Sequence, residues 1–481
     1  MDSSLKTGTT TDSAGAGIAV DAIVAQHYKP KTPEAPSNFH WLVFIPLLLL
    51  GAYLRHFGFF LPSNIGDPTA YQSLAMKMNY GFMEHYDIYN YRMTPRPEPK
   101  GIVDYVWEEN PNLWNARRIR AIYHRPLHLQ PPLFPILLWL SHGTFNRGDP
   151  YSSVAENRGW EVASQPPWPF LQAQFYAVIV PFALSVGTLL LVYLFCLRFF
   201  SYREGLFAVL ILLASPVDLA VGPKVYVDGI LTFFTFLTLH WYFRSLESER
   251  YRGAWGFAAL AGIALGLSYL TKVTGVLFAF GILAASLLHP KTPSGLFDKL
   301  TQGRLWIAGF FTLLLASPWL TLMHHYYGSV FVNTPADPEN PWYQYVFGRP
   351  LRAYPLDLLW FVPSLALGAA YGLLTWIRPR RNWKEATLFA TAMFYLGMFC
   401  LFVKTGTAGI EDRYLLPIYP LLAVLTGAAL ARCCGFLQSP WLRRSAYALS
   451  GLGLGILGFR SAWIGLDSVF RGVVVFKPLG F

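Results

Sequence analysis

The sequence predicts an all-α polytopic membrane protein, and three observations carry that expectation. Only 14% of the 481 residues are charged, against about 25% in soluble domains. The apolar residues, 54% of the chain, gather into runs close to the ~20 residues that cross a hydrocarbon core. The lysines and arginines fall in alternate connections between those runs, as the positive-inside rule requires.

So little polar surface excludes a cytosolic enzyme, a disordered scaffold and a nucleic-acid-binding domain. The formal net charge of +11 is located in the loops and reads as a topology signal rather than as a nucleic-acid footprint. Cys196, Cys400, Cys433 and Cys434 lie in or beside apolar runs, with no CxxC or Cys/His ligand spacing. They read as small core residues rather than metal or redox groups; no cofactor is expected, with a divalent metal left open but unsupported by the sequence.

Residues 1–40, rich in Thr, Ser, Ala and Pro without an apolar h-region, form a flexible cytoplasmic tail rather than a cleavable signal. About eleven spans follow by apolar length: 41–59, 171–197, 205–222, 225–243, 254–271, 275–289, 305–323, 356–377, 385–403, 414–431 and 445–462. Together 41–462 make the transmembrane domain, and 463–481 a tail on the far side. Five connections hold Arg198 and Arg203; Arg244, Arg250 and Arg252; Lys291, Lys299 and Arg304; Arg378, Arg380, Arg381 and Lys384; and Arg432, Arg443 and Arg444. The intervening short connections hold only Lys224, Lys272, Lys404 and Arg413. The first set is therefore cytoplasmic, with the N-terminus inside and the C-terminus outside.

This topology puts 60–170 and 324–355 on the extracytoplasmic side. The first segment is dense in aromatics, among them Tyr71, Tyr80, Tyr86, Trp107 and Trp114, which argues against disorder. Tyr71, Leu74, Ala75 and Met78 have helical spacing, and 132–145 is a short apolar stretch. Both predict helices lying along the membrane surface. The two halves of the chain show no repeat of the kind that marks secondary transporters.

Ionisable residues near bilayer depth are candidates for function. Asp67 follows the first span, between Gly66 and Pro68, where the helical pattern begins; it reads as an N-cap with Pro at the first helical position, and equally as a rigidly held carboxylate. His128-Leu129-Gln130-Pro131-Pro132-Leu133 leads into the 132–145 stretch. Lys224 and Asp228 stand at an outer helix start, where a mutual i,i+4 ion pair is the ordinary explanation. Lys272 ends another helix, where snorkelling is ordinary. Glu411-Asp412-Arg413-Tyr414-Leu415-Leu416-Pro417 opens the tenth span. Gly453, Gly455 and Gly458 fit GxGxxG, but inside an apolar helix they serve helix packing rather than a dinucleotide.

Over about 41–432 the chain resembles the GT-C class of membrane glycosyltransferases, in particular the branch of protein O-mannosyltransferases and the aminoarabinose transferase of lipid A. The resemblance rests on Asp67 to Tyr71, Pro131 to Leu133, Asp228, Leu270-Thr271-Lys272, Pro341-Trp342-Tyr343 and Arg413-Tyr414-Leu415-Leu416-Pro417. It implies transfer of a sugar from a polyprenyl-phosphate carrier to a lipid, glycan or protein acceptor on the outer or lumenal face, with inversion. It further implies Asp67 as the catalytic base and Arg413 as a cation at the donor phosphate. Lys272, Arg349 and Arg352 are further cations for that phosphate. Asp228, Tyr71, His128, Gln130, Trp342, Tyr343 and Tyr414 are expected to support the site or touch substrate. Two departures stand out: Pro68 takes the place of a second acidic residue, which removes support for a metal, and Gln130 replaces a Lys or His. A bacterial inner membrane is the expected location, with the endoplasmic reticulum open; a transporter or lipid flippase is the alternative class.

Overall fold

The computed structural model describes residues 39–57, 71, 75, 131–145, 168–290, 295–327, 362–402 and 412–470. The chain divides into two units, Met1–Val43 and Phe44–Phe481. Of the first, only the opening turn of a helix is described; the second holds everything else below. Expectations for residues 1–38 and 471–481, and for most of 60–170 and 324–355, fall outside the described residues.

Among the described residues the chain is helical and without strands. The helices are α1 (Phe39–His56), α2 (Leu133–Phe145), α3 (Trp168–Phe199), α4 (Tyr202–Leu213), α5 (Pro216–Val221), α6 (Val227–Glu247), α7 (Tyr251–Thr271), α8 (Ala279–Leu288), α9 (Leu296–Leu300), α10 (Gly303–Tyr327), α11 (Pro363–Thr375), α12 (Trp383–Phe402), α13 (Tyr419–Gly435) and α14 (Pro440–Phe470). Two 3₁₀ segments, Val273–Phe278 and Asp412–Ile418, lead into α8 and α13.

Among the described residues, six helices are long and apolar enough to cross a membrane: Phe39–His56, Ala177–Phe199, Arg252–Thr271, Gly303–His324, Arg413–Gly435 and Pro440–Leu466. The eleven spans read from the sequence exceed that number for local reasons. The run 205–222 is cut at Ser215-Pro216, because the Ser215 hydroxyl caps Asp218 N–H and starts the six-residue α5. The run 275–289 opens as a 3₁₀ turn and leaves only ten residues to α8. Helix α6 spans 21 residues but carries Thr232, Thr235, Thr238 and His240. Those threonines stay inside because each hydroxyl returns to the carbonyl four residues back, at 2.7, 2.8 and 2.9 Å; a buried hydroxyl without a partner costs about 1–3 kcal/mol.

Helix α6 lies at the centre, packed on α3 and α7, with α7 against α10 and α13 between α4 and α11. In hydrocarbon there is little hydrophobic gain in bringing apolar helices together, so close contact of small residues does much of the work. Gly262 shows this: a Cβ there would lie 2.9 Å from Ala308 Cα. The close approach lets Thr312 Oγ1 donate to Gly262 O at 3.0 Å.

One end of the bundle collects basic residues predicted to share a side. Lys384 bridges Glu247 at 2.5 Å and donates to Phe199 O at 3.2 Å, Arg304 donates to Ser245 O at 2.9 Å, and Arg432 pairs with Glu385. These groups sit where α3 and α6 end and α12 begins. At about 1.5 Å per residue, the 21 residues of α6 put its first turn about 30 Å away.

Candidate active site

At that distant end, α5 stops at Val221 and Gly222-Pro223 break the helix, since Pro223 has no N–H to donate. The chain turns sharply: Tyr226 N–H donates to Lys224 O at 2.7 Å. Helix α6 begins at once and sets Asp228 in its first turn. This tight return needs Gly229, where a Cβ would lie 3.2 Å from both Cα and O of Gly222. A carboxylate in the first turn also faces the positive end of the helix dipole.

Two further elements bring cations to it. Helix α7 ends on Lys272, whose backbone is extended (φ −155, ψ 135) and whose N–H donates to Ser268 O at 3.0 Å. Lys272 O in turn accepts from Gly275 N–H at 2.8 Å, so the lysine is fixed between two hydrogen-bonded turns. The segment Asp412–Ile418 delivers Arg413 and Tyr414, and Pro417 and Pro420 mark its passage into α13.

The result is a compact constellation. Lys272 Nζ donates to Asp228 Oδ1 at 2.8 Å, and Arg413 Nε stands 3.9 Å from Asp228 Oδ2. The second distance is an ionic contact, too long for a hydrogen bond. Tyr414 lies under Lys272 at 4.3 Å from its Nζ, and Tyr226 under Arg413 at 4.4 Å. Asp228 is fully buried, while the Lys272 side chain keeps 22% of its surface. Both cations stack on ring faces, a contact that attracts them by the ring quadrupole, and the Arg413 side chain is only 8% exposed. Among the described residues no group of His, Cys, Asp and Glu is able to hold a metal ion.

Asp228, Lys272, Arg413 and Tyr414, all singled out from the sequence, thus meet at one place. Tyr71 is helical and buried, packs edge-on against Phe134 at 4.9 Å, and shares an apolar cluster with Val225, Val227 and Ile230. That cluster lies directly beside the first turn of α6. Asp67, His128, Gln130, Arg349, Arg352, Trp342 and Tyr343 lie outside the described residues. The i,i+4 pair of Lys224 with Asp228 does not form, because Asp228 is taken by Lys272, 44 residues later in the chain. Lys224 is fully buried, and among the described residues its Nζ has no hydrogen-bond partner.

A second buried charge network was not anticipated. Arg55, at the end of α1, is fully buried and pairs with Asp218 in the first turn of α5. Its Nε donates to Ser185 Oγ at 2.8 Å, its guanidinium also reaches Gly51 O and Leu212 O, and Ser185 Oγ donates to Asp218 Oδ1 at 3.1 Å. An arginine inside the apolar run 41–59 was the available signal.

Residues 170–323, which carry α3 to α7 and hence Asp228 and Lys272, match the family model described as dolichyl-phosphate-mannose-protein mannosyltransferase. The structure of ArnT from Cupriavidus metallidurans bound to undecaprenyl phosphate aligns with a TM-score of 0.52 at 15% identity, over 91% of this chain and 74% of that one. The archaeal oligosaccharyltransferase AglB from Archaeoglobus fulgidus, in complex with an inhibitory peptide and a dolichol-phosphate, aligns at 0.53 and 14%, over 92% of this chain and 56% of that one. The fold is that of the GT-C glycosyltransferases. No curated protein sequence matches. The apo structure of the same ArnT aligns at 0.53 and 16%, over 90% of this chain and 78% of that one, so the GT-C likeness does not depend on a bound lipid.

Proposed function

We propose that the chain is an integral-membrane glycosyltransferase that moves a sugar from a polyprenyl-phosphate carrier to an acceptor on the outer or lumenal face, with inversion. The observation that carries this reading is the convergence of Lys272 and Arg413 on buried Asp228, over the rings of Tyr414 and Tyr226. The family match at 170–323 and the lipid phosphates bound to ArnT and AglB support the class of donor.

The chemistry suits these groups. The acceptor oxygen forms a bond to the anomeric carbon while its proton passes to a carboxylate, which we assign to Asp67. The anomeric C–O bond to phosphate breaks, and the electron pair stays on the phosphate oxygen. The phosphodiester monoanion becomes a monoester dianion, so the fixed cations Arg413 and Lys272 gain most from charge that develops during the step. Arg349 and Arg352 are assigned to the same phosphate. His128, Gln130, Trp342, Tyr343, Tyr414 and Asp228 are assigned to shaping the site and contacting sugar or acceptor. One displacement by one base inverts the anomeric centre. No metal or other cofactor enters the scheme.

The test joins lipid identity to one side chain. Mass spectrometry of lipid co-purified with the wild-type protein should find a polyprenyl phosphate. Arg413→Ala should recover less of it, and sugar transfer should fall by about tenfold or more, since a hydrogen bond to a charged group contributes about 1.5–3 kcal/mol. Wild-type lipid content and turnover in that variant would remove Arg413 from the site.

Orientation has its own test. We propose that the Asp228 end faces the periplasm or lumen, as the loop charges require, in a bacterial inner membrane. A cysteine at position 105 should label with an impermeant reagent only from that side, and labelling only from the cytoplasm would reverse the topology.

A further inference from the structure

One buried cation has no task in the scheme so far. Lys224 is fully buried, its ammonium has no hydrogen-bond partner among the described residues, and the nearest carboxylate in sequence, Asp228, is already bonded to Lys272. An unpaired ion in a low-dielectric interior is costly, by several kcal/mol even after relaxation. The turn that buries it is the one that builds the site, because Lys224 O accepts from the N–H of Tyr226, whose ring carries Arg413. The elements around this turn carry Asp218 on α5, Tyr226 in the turn, Asp228 on α6, Lys272 after α7, Arg413 and Tyr414 on the 3₁₀ segment, and Arg460 on α14, which packs on α5.

We propose that Lys224 is a contact for the leaving phosphate, and that its ammonium recognises the second negative charge of a phosphate monoester. The inference rests on the donor chemistry proposed above. When the anomeric C–O bond breaks, its electron pair goes to phosphate, and the monoanionic diester becomes a dianionic monoester. The donor brings one negative charge and the spent carrier two, and an otherwise uncompensated cation favours the second. An interaction that strengthens as the bond breaks lowers the barrier rather than merely binding the donor. It also makes the spent carrier bind more tightly than the donor. Burial lowers the Lys224 pKa to about 8, so its charge is present at neutral pH and is lost as pH rises through that value.

The experiment measures binding of undecaprenyl phosphate and of its methyl phosphodiester to the full chain in nanodiscs, at pH about 7 and about 9. The monoester is dianionic at both, its second ionisation lying near 6. At pH 7 the wild type should prefer the monoester by about tenfold or more, the range for a hydrogen bond to a charged group, and should lose most of that preference at pH 9. Lys224→Met should show a smaller preference, equal at the two pH values, which is the part that Arg413 and Lys272 supply. Lys224→Arg, which stays charged throughout, should keep the preference at both, so the comparison of wild type with Lys224→Arg decides the matter even where Lys224→Met fails to fold. Equal binding of both lipids by the wild type, or an undiminished preference in Lys224→Met, overturns the role of Lys224 and leaves the phosphate site standing. Failure of the wild type to bind either lipid overturns the donor assignment and this inference with it.

Discussion

Asp67→Asn should lower sugar transfer by about 10²–10⁴, the usual contribution of a positioned acid or base, while the melting temperature stays near that of the wild type. The contrast follows from what each atom does. Asn caps a helix about as well as Asp, so a carboxylate that only caps is replaceable by an amide without loss of either stability or turnover. A base must accept a proton, and an amide nitrogen or oxygen does not do so at neutral pH. Asp67→Ala separates the two roles from the other side: it removes the cap as well, at about 0.5–2 kcal/mol of stability. Tyr71 and Ala75, four and eight residues further on in sequence, are helical and buried in the cluster that holds Val225 and Val227. An Asn variant that transfers sugar at the wild-type rate ends the assignment of Asp67 as base.

The parts of this molecule that were legible in its sequence are those that the bilayer or the local chain dictates. A run of apolar residues must be helical in hydrocarbon, because every backbone polar group has to be satisfied within the segment; α1, α3, α7, α10 and α14 accordingly lie where the runs predict them. Breaks were harder to see. Ser215-Pro216 is a strong helix-start signal, yet inside 205–222 it was outweighed by uniform hydropathy, and the span is two short helices.

The candidate site divides in the same way. Asp228, Lys272 and Arg413 stood out because charges at helix ends in an apolar chain are expensive. Their mutual contacts were not legible, since Lys272 meets Asp228 across 44 residues of sequence. A local rule, the i,i+4 pair, therefore gave Asp228 the wrong partner and hid the unpaired state of Lys224. Arg55 carries no local sign of its partner. It is a single charge near the end of an apolar run, and only the fold supplies Asp218, 163 residues away, to explain it.

That pairing makes the second strong prediction, and it concerns stability. Asp218→Ala should destabilise the protein by about 3–5 kcal/mol, the cost of stranding a buried charge when its partner is removed. The magnitude is large against a total of about 5–15 kcal/mol for a folded domain. Arg55 has no exposed surface and Asp218 only 12% of its side chain exposed, so water does little to replace the lost carboxylate. Ser185 and the carbonyls of Gly51 and Leu212 would still accept from the guanidinium, but none of them carries charge. Replacing both partners by apolar side chains should behave differently. Arg55→Met with Asp218→Leu removes the charges together, and such exchanges are often neutral or stabilising by about 1–4 kcal/mol. Thermal melting of the single and double variants completes the cycle. If Asp218→Ala melts with the wild type, the ion pair is not what ties the end of α1 to α3 and α5. If the double variant regains wild-type stability but not sugar transfer, the network also orients the chain that leaves α1 toward Asp67, twelve residues beyond Arg55.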